Sequence, residues 1–173
     1  MSKRTLTRRS FIKGTTAAIG FPYIVSSAVL GAKAPSNRLR IGCIGTGRMG
    51  VGNMKQVLHL GLEKKYNAHV VALCDVDSKR LKNAALTVEK FYAGHDMNIK
   101  PRMYEDYRVM LADKDIDGVI IATPEHHHAL SGVAAAKAGK DIYMQKPLTY
   151  SVVEGQKLVK AVRRNNVILQ TGS

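Results

Sequence analysis

Over residues 39–170, short apolar runs alternate with longer segments whose apolar side chains recur every three or four positions. Leu39–Ile44 reads as a buried strand that runs into glycines. Residues 49–60 follow as a helix, with Val51, Met54, Leu58 and, just beyond, Leu62 near helical spacing. A second strand spans 69–74. The helix after it, 78–91, has Leu81, Ala85, Val88 and Phe91 on one face and Asp77 or Ser78 as N-cap. A polar loop at 94–100 leads to a short strand at Arg102–Tyr104 and a short helix at 105–111. The run GVIIA at 118–122 is a fourth strand, bounded by Pro124. Residues 125–138 form a helix that Gly139 is placed to end. Asp141–Met144 is a fifth strand, 151–165 a helix with Val153, Leu158 and Val162 inward, and 167–170 a sixth strand.

Alternating strands and helices, with nearly continuous apolar strands, predict an α/β protein. The expected architecture is a doubly wound parallel Rossmann sheet with helices on both faces. Residues 38–173 would form this one domain, without internal repeats.

The formal net charge of +14 invites a nucleic-acid reading until it is dissected. Residues 1–34 carry six basic side chains and no acidic one, leaving 21 basic against 13 acidic in the rest. Those charges are scattered along helix faces, and no aromatic residues interleave with them as a single-strand binding face requires. The reading is therefore of solvated helix faces and no nucleic-acid partner. Cys43 and Cys74 each sit in an apolar strand, as buried free thiols rather than a disulfide or metal pair.

Residues 1–34 read as an address. Thr7-Arg8-Arg9-Ser10-Phe11-Ile12-Lys13 resembles the twin-arginine motif, and an uncharged stretch follows up to Ala32. Pro22 and weak hydropathy argue against a spanning helix, and Ser26-Ser27-Ala28 offers a cleavage site. The expectation is a periplasmic or otherwise exported protein with the twin-arginine translocase as partner. Because that pathway carries folded proteins, a cofactor would be loaded before export.

Gly45-Thr46-Gly47-Arg48-Met49-Gly50 is GxGxxG between a strand and a helix, the context a dinucleotide site requires. Gly45 allows the tight turn, Gly47 the approach of a pyrophosphate to the backbone, and Gly50 close packing of helix on strand. The helix start offers free N–H groups to phosphate. Asp75 ends the second strand, twenty-five residues after Gly50, where a carboxylate accepts ribose hydroxyls and repels a 2′-phosphate. NAD is thus favoured over NADP, with Arg80 near enough to soften the preference. The structural alternative is that Asp75 only caps its turn.

Thr123-Pro124-Glu125-His126-His127-His128 follows the fourth strand, at the carboxyl edge where ligands bind in such sheets. Adjacent helical residues point about 100° apart, so the three histidines cannot converge on one metal ion, and no metal is expected. His128 is read as pocket lining, His126 and His127 as an exposed helix start. Gln145-Lys146-Pro147 follows the fifth strand, at the same edge. Lys146 there is the candidate catalytic residue, able to donate to a ribose or substrate oxygen and to move a proton.

The ordered motifs IGCIGTGRMG, VALCDVD, IATPEHHHA and DIYMQKPLT, spread over residues 39–173, resemble the Gfo/Idh/MocA oxidoreductases, the group of glucose-fructose oxidoreductase and inositol dehydrogenase. The resemblance implies an N-terminal NAD-binding Rossmann domain and a C-terminal α/β domain that carries the substrate pocket, which this sequence lacks. It implies cofactor contacts from Gly45 to Gly50, Asp75, Arg80, Thr123, Pro124, His128, Gln145 and Lys146, a cis Lys146–Pro147 bond, and homo-oligomers of the longer parent. One position departs from the pattern: the usual Glu-Lys-Pro reads Gln145-Lys146-Pro147, which keeps size and hydrogen bonding but loses the charge.

Three functions fit. The first is NAD-dependent hydride transfer on a sugar, polyol or related carbohydrate. The second is an NAD-dependent glycosidase working by transient oxidation. The third is a nucleotide-binding fragment without activity of its own.

Overall fold

The computed structural model describes residues 38–63 and 66–172, all within the compact unit Asn37–Ser173. The twin-arginine motif and its cleavage site lie outside the described residues. In chain order the elements are β1 (Leu39–Ile44), α1 (Arg48–Leu62), β2 (Ala68–Cys74), α2 (Ser78–Ala93), β3 (Arg102–Tyr104), α3 (Tyr107–Leu111), β4 (Gly118–Ile121), α4 (Glu125–Lys137), β5 (Asp141–Met144), α5 (Val152–Asn165) and β6 (Leu169–Thr171).

The six strands form one sheet in the order β3-β2-β1-β4-β5-β6, every pair parallel. This is the doubly wound Rossmann order, whose direction reverses between β1 and β4. Alternation along the strands divides the core into two layers. Cys43, Val70, Leu73 and Ile120 face Met54 and Leu58 of α1 and Leu81, Val88 and Tyr92 of α2. Ile44, Ala72, Cys74, Ile121 and Met144 face Met110 and Leu111 of α3, Ala135 and Ala136 of α4 and Leu158 of α5. Both cysteines are buried free thiols. Burial pushes each thiol up to about 12, so neither is a nucleophile at neutral pH.

Side-chain caps set several helix starts. Asp77 accepts from Lys79 N and Arg80 N at the start of α2. Asp106 accepts from Arg108 N, so α3 begins at Tyr107, two residues later than the pattern suggested. Ser151 and Glu154 form a capping box on α5.

Three expectations about packing are corrected. Val153 is 58% exposed, because it lies about 140° round α5 from buried Leu158. Leu62, in the last turn of α1, is also exposed. β6 runs from Leu169 and not from Val167; just before it, the Ile168 N–H donates to the Asp141 side chain while its carbonyl accepts from Ile142 of β5. Helices lie on both faces, and on the α1 side α1 reaches as far as Ile120 of β4. An apolar groove of about 400 Å³ remains there, lined by Val57, Leu60, Ile120, Tyr143 and Ile168.

Candidate dinucleotide site

The carboxyl ends of β1 and β4 diverge at the reversal of strand order, and the loops that leave the strands there build a cleft of about 550 Å³. Gly45 turns the chain out of β1 at φ 90°, a left-handed conformation. An added Cβ there would sit 2.7 Å from the Ala122 carbonyl oxygen, so β1 and β4 can be joined this closely only through glycine. A Cβ on Gly50 would collide with the Gly45 carbonyl oxygen, which is why α1 can rise straight off the turn. Gly47 differs: its φ is −70°, and the nearest atom to an added Cβ is Arg80 Nη1 at 3.9 Å. The fold itself does not demand glycine at 47. The space above it is open, as a ligand's close approach would need.

α1 starts at this point with no side-chain cap and no acidic residue in its first turn. Its leading N–H groups are therefore free for an anion. Thr46, Gly47, Arg48, Lys55 and Arg80 line an open cup of about 530 Å³ over that end, with three cationic side chains among them.

Asp75 closes the loop from the neighbouring strand. Its Oδ2 accepts the Thr46 N–H at 2.6 Å and the Thr46 hydroxyl at 2.9 Å, and its Oδ1 accepts the Asp77 N–H at 2.9 Å. The turn-capping role weighed from the sequence is thus present in the structure. It leaves Oδ1 with acceptor capacity, and Asp75 lines the cleft.

The structure brings Gly45, Gly47, Asp75, Arg80, Thr123 and Pro124 into the cleft wall. The Thr123 hydroxyl is buried with no hydrogen-bond partner, a polar atom at this wall still to be satisfied. Met49 is half exposed and its side chain lines neither the cleft nor the cup.

His128 corrects the expectation of pocket lining. It is 1% exposed, with Nδ1 2.7 Å from the Pro147 carbonyl oxygen and Nε2 2.8 Å from that of Thr123. It ties two loops together from inside, while His126 and His127 sit on the cleft rim.

Gln145 and Lys146 lie beyond the cleft, at the end of β5, and the Lys146–Pro147 bond is cis. Lys146 is exposed, whereas Gln145 is buried. Sequence reasoning missed the wall formed by Glu105, Asp106, Tyr107 and Arg108. These residues follow β3 directly, and their place at the carboxyl edge was the available signal. Among them Arg108 pairs with Asp106 at 2.8 Å and holds its carboxyl below the usual range. Among the described residues, no three of His, Cys, Asp and Glu group to hold a metal ion. No helix among them is long and apolar enough to cross a membrane.

Comparison with known proteins places this geometry in a family. An inositol 2-dehydrogenase of Salmonella paratyphi B is 30% identical over 129 residues, which cover 73% of this chain and 34% of the relative. Glycosyl hydrolase family 109 protein 1 of Shewanella sp. is 32% identical over 149 residues, 81% of this chain and 29% of that protein. The crystal structure of an NAD binding oxidoreductase from Klebsiella pneumoniae superposes with a TM-score of 0.64 at 28% identity, covering 78% of this chain and 34% of that one. The chain thus spans about a third of the length of the relatives it matches. A family model for the Gfo/Idh/MocA oxidoreductases, described as an oxidoreductase family with an NAD-binding Rossmann fold, matches residues 39–173, and the chain belongs to that family as its NAD-binding domain.

Proposed function

We propose that the protein carrying this domain is an NAD-dependent dehydrogenase of a polyol or sugar. The observation that carries the reading is the uncapped start of α1, set under open Gly47 and beside Asp75 at the β1/β4 reversal. The loop from Gly45 to Gly50, with the backbone N–H groups of Arg48 and Met49, binds the pyrophosphate, and Arg48 and Arg80 add positive charge. Asp75 accepts the adenosine ribose hydroxyls and disfavours a 2′-phosphate. Thr123 and Pro124 form the floor, and His128 holds that floor to the Lys146 turn. When bound, NAD supplies the acceptor for a hydride from the substrate carbon. Lys146 holds or moves the proton at the substrate oxygen, with Gln145 fixing its turn.

A polyol or sugar substrate is supported by the relative named inositol 2-dehydrogenase. The glycosyl hydrolase relative supports a second reading, a glycosidase that oxidises a sugar carbon transiently and recycles its NAD. Incubation of the longer parent with NAD and a polyol and sugar panel separates the two, because only a dehydrogenase accumulates NADH. In that parent, Lys146→Met should lower turnover by at least about a hundredfold, the scale of losing a general acid or base, and dinucleotide affinity less. Retained turnover with an intact fold would reduce Lys146 to a structural residue. Inactivity of the parent with intact NAD binding would select a binding function alone.

Arg8 and Arg9 support export through the twin-arginine pathway. Replacing both with Lys should hold the parent in the cytoplasm; unchanged periplasmic recovery would refute the assignment.

A further inference from the structure

Asn53 and Gln145 are 92 residues apart in sequence and meet in the interior. Asn53 lies in the second turn of α1, the helix that starts at the glycine loop; Gln145 is the residue before Lys146. They are 8% and 7% exposed. Gln145 Nε2 donates to Asn53 Oδ1 at 3.2 Å, and the Lys146 N–H donates to Gln145 Oε1 at 3.2 Å. Gln145 is held on its other side too: its N–H donates to Ile121 O at 2.9 Å, and an added Cβ on Gly172 would lie 3.2 Å from its Cδ and Nε2.

The orientation of the pair follows from the backbone. A peptide N–H can only donate, so Lys146 requires the oxygen of Gln145. The nitrogen of Gln145 must then face α1, and Asn53 must present its oxygen to it. Asn53 Nδ2 is left buried without a partner, the consequence of this fixed polarity.

We infer that Asn53 and Gln145 are positioning residues. Their buried amide pair ties the helix at the dinucleotide phosphates to the Lys146 turn, and thereby sets where along a bound dinucleotide the Lys146 ammonium lies. The inference rests on the dinucleotide reading above. Asn53→Leu removes the acceptor and cuts Gln145 Nε2 loose from α1. Asn53→Asp keeps an acceptor. Gln145→Glu keeps the Lys146 bond, and Asn53 can then turn its amide to offer Nδ2. Asn53→Ala removes the acceptor without adding bulk, and the tie is lost.

The test is amine acetylation of the 173-residue chain, read lysine by lysine by mass spectrometry, with and without saturating NADH. Lys55 in the cup reports the phosphate end, Lys146 the far end. In the unaltered chain NADH should protect both. Asn53→Leu should retain NADH binding and Lys55 protection but lose Lys146 protection; each single acidic variant should keep both. Asn53→Ala should behave as Asn53→Leu does, and it carries the test if Leu is not tolerated in the fold. Lys146 protection that survives in Asn53→Leu or in Asn53→Ala would overturn the inference, as would its loss in Asn53→Asp. Failure of NADH to bind or to protect Lys55 in the unaltered chain would instead remove the dinucleotide reading, and the inference with it.

Discussion

Thr46 donates both its backbone N–H and its hydroxyl to one carboxylate oxygen of Asp75, so the residue proposed to meet the cofactor ribose also braces the glycine loop. Thr46 is 4% exposed. Asp75→Ala would leave its N–H buried and unpaired, a loss of about 1–3 kcal/mol. The variant should unfold at lower temperature and lose most of its preference for NADH over NADPH. Thermal unfolding and paired titrations check this; a preserved preference would assign Asp75 to the turn alone.

The glycines should separate by role. Gly45→Ala forces a side chain into a left-handed backbone against Ala122 O and should destabilise the fold by at least about 1–3 kcal/mol. Gly47→Ala meets nothing closer than 3.9 Å. It should melt as the parent chain does yet bind NADH at least about tenfold more weakly, a loss near 1.4 kcal/mol. Unaltered NADH binding by Gly47→Ala would count against phosphate approach at this point.

Much of this was legible in the sequence, and the failures have causes. Six strands and the GxGxxG turn announce themselves because a parallel sheet is buried on both faces and because Gly45 and Gly50 have no room for a side chain. Asp75 was legible by place, but not its bonds to Thr46, which depend on where β1 and β2 end side by side. His128 was rightly set apart from exposed His126 and His127, but it was read as pocket lining because nothing local shows that its ring meets the Thr123 and Pro147 carbonyls. The Asn53–Gln145 pair was invisible, since nothing local to either residue points to the other.

His128 should behave as a structural tie. His128→Leu removes the ring nitrogens that meet Thr123 O and Pro147 O and should lower stability by about 1–3 kcal/mol in denaturant unfolding. Amide exchange should quicken around 146–149. Unchanged stability would show that the two loops are held by other contacts.

His69 supplies a pH dependence. It stacks on Tyr92 at 5.6 Å, and burial, helped by the nearby Arg38 charge, lowers its pKa from 6.5 to about 4. Between those values the unfolded chain binds the proton and the folded chain does not. Stability is therefore complete above pH 6.5 and falls as pH drops toward 4. His69→Phe keeps a ring against Tyr92 and should flatten unfolding curves in this window. An equal slope in the variant would place the acid sensitivity elsewhere.

The central claim, an NAD site built on α1 and Asp75, is tested most directly by calorimetric titration of this chain with NADH and with NADPH. The account predicts one NADH site per chain and clearly weaker binding of NADPH. NADPH bound as tightly as NADH, or no binding of either, would contradict it.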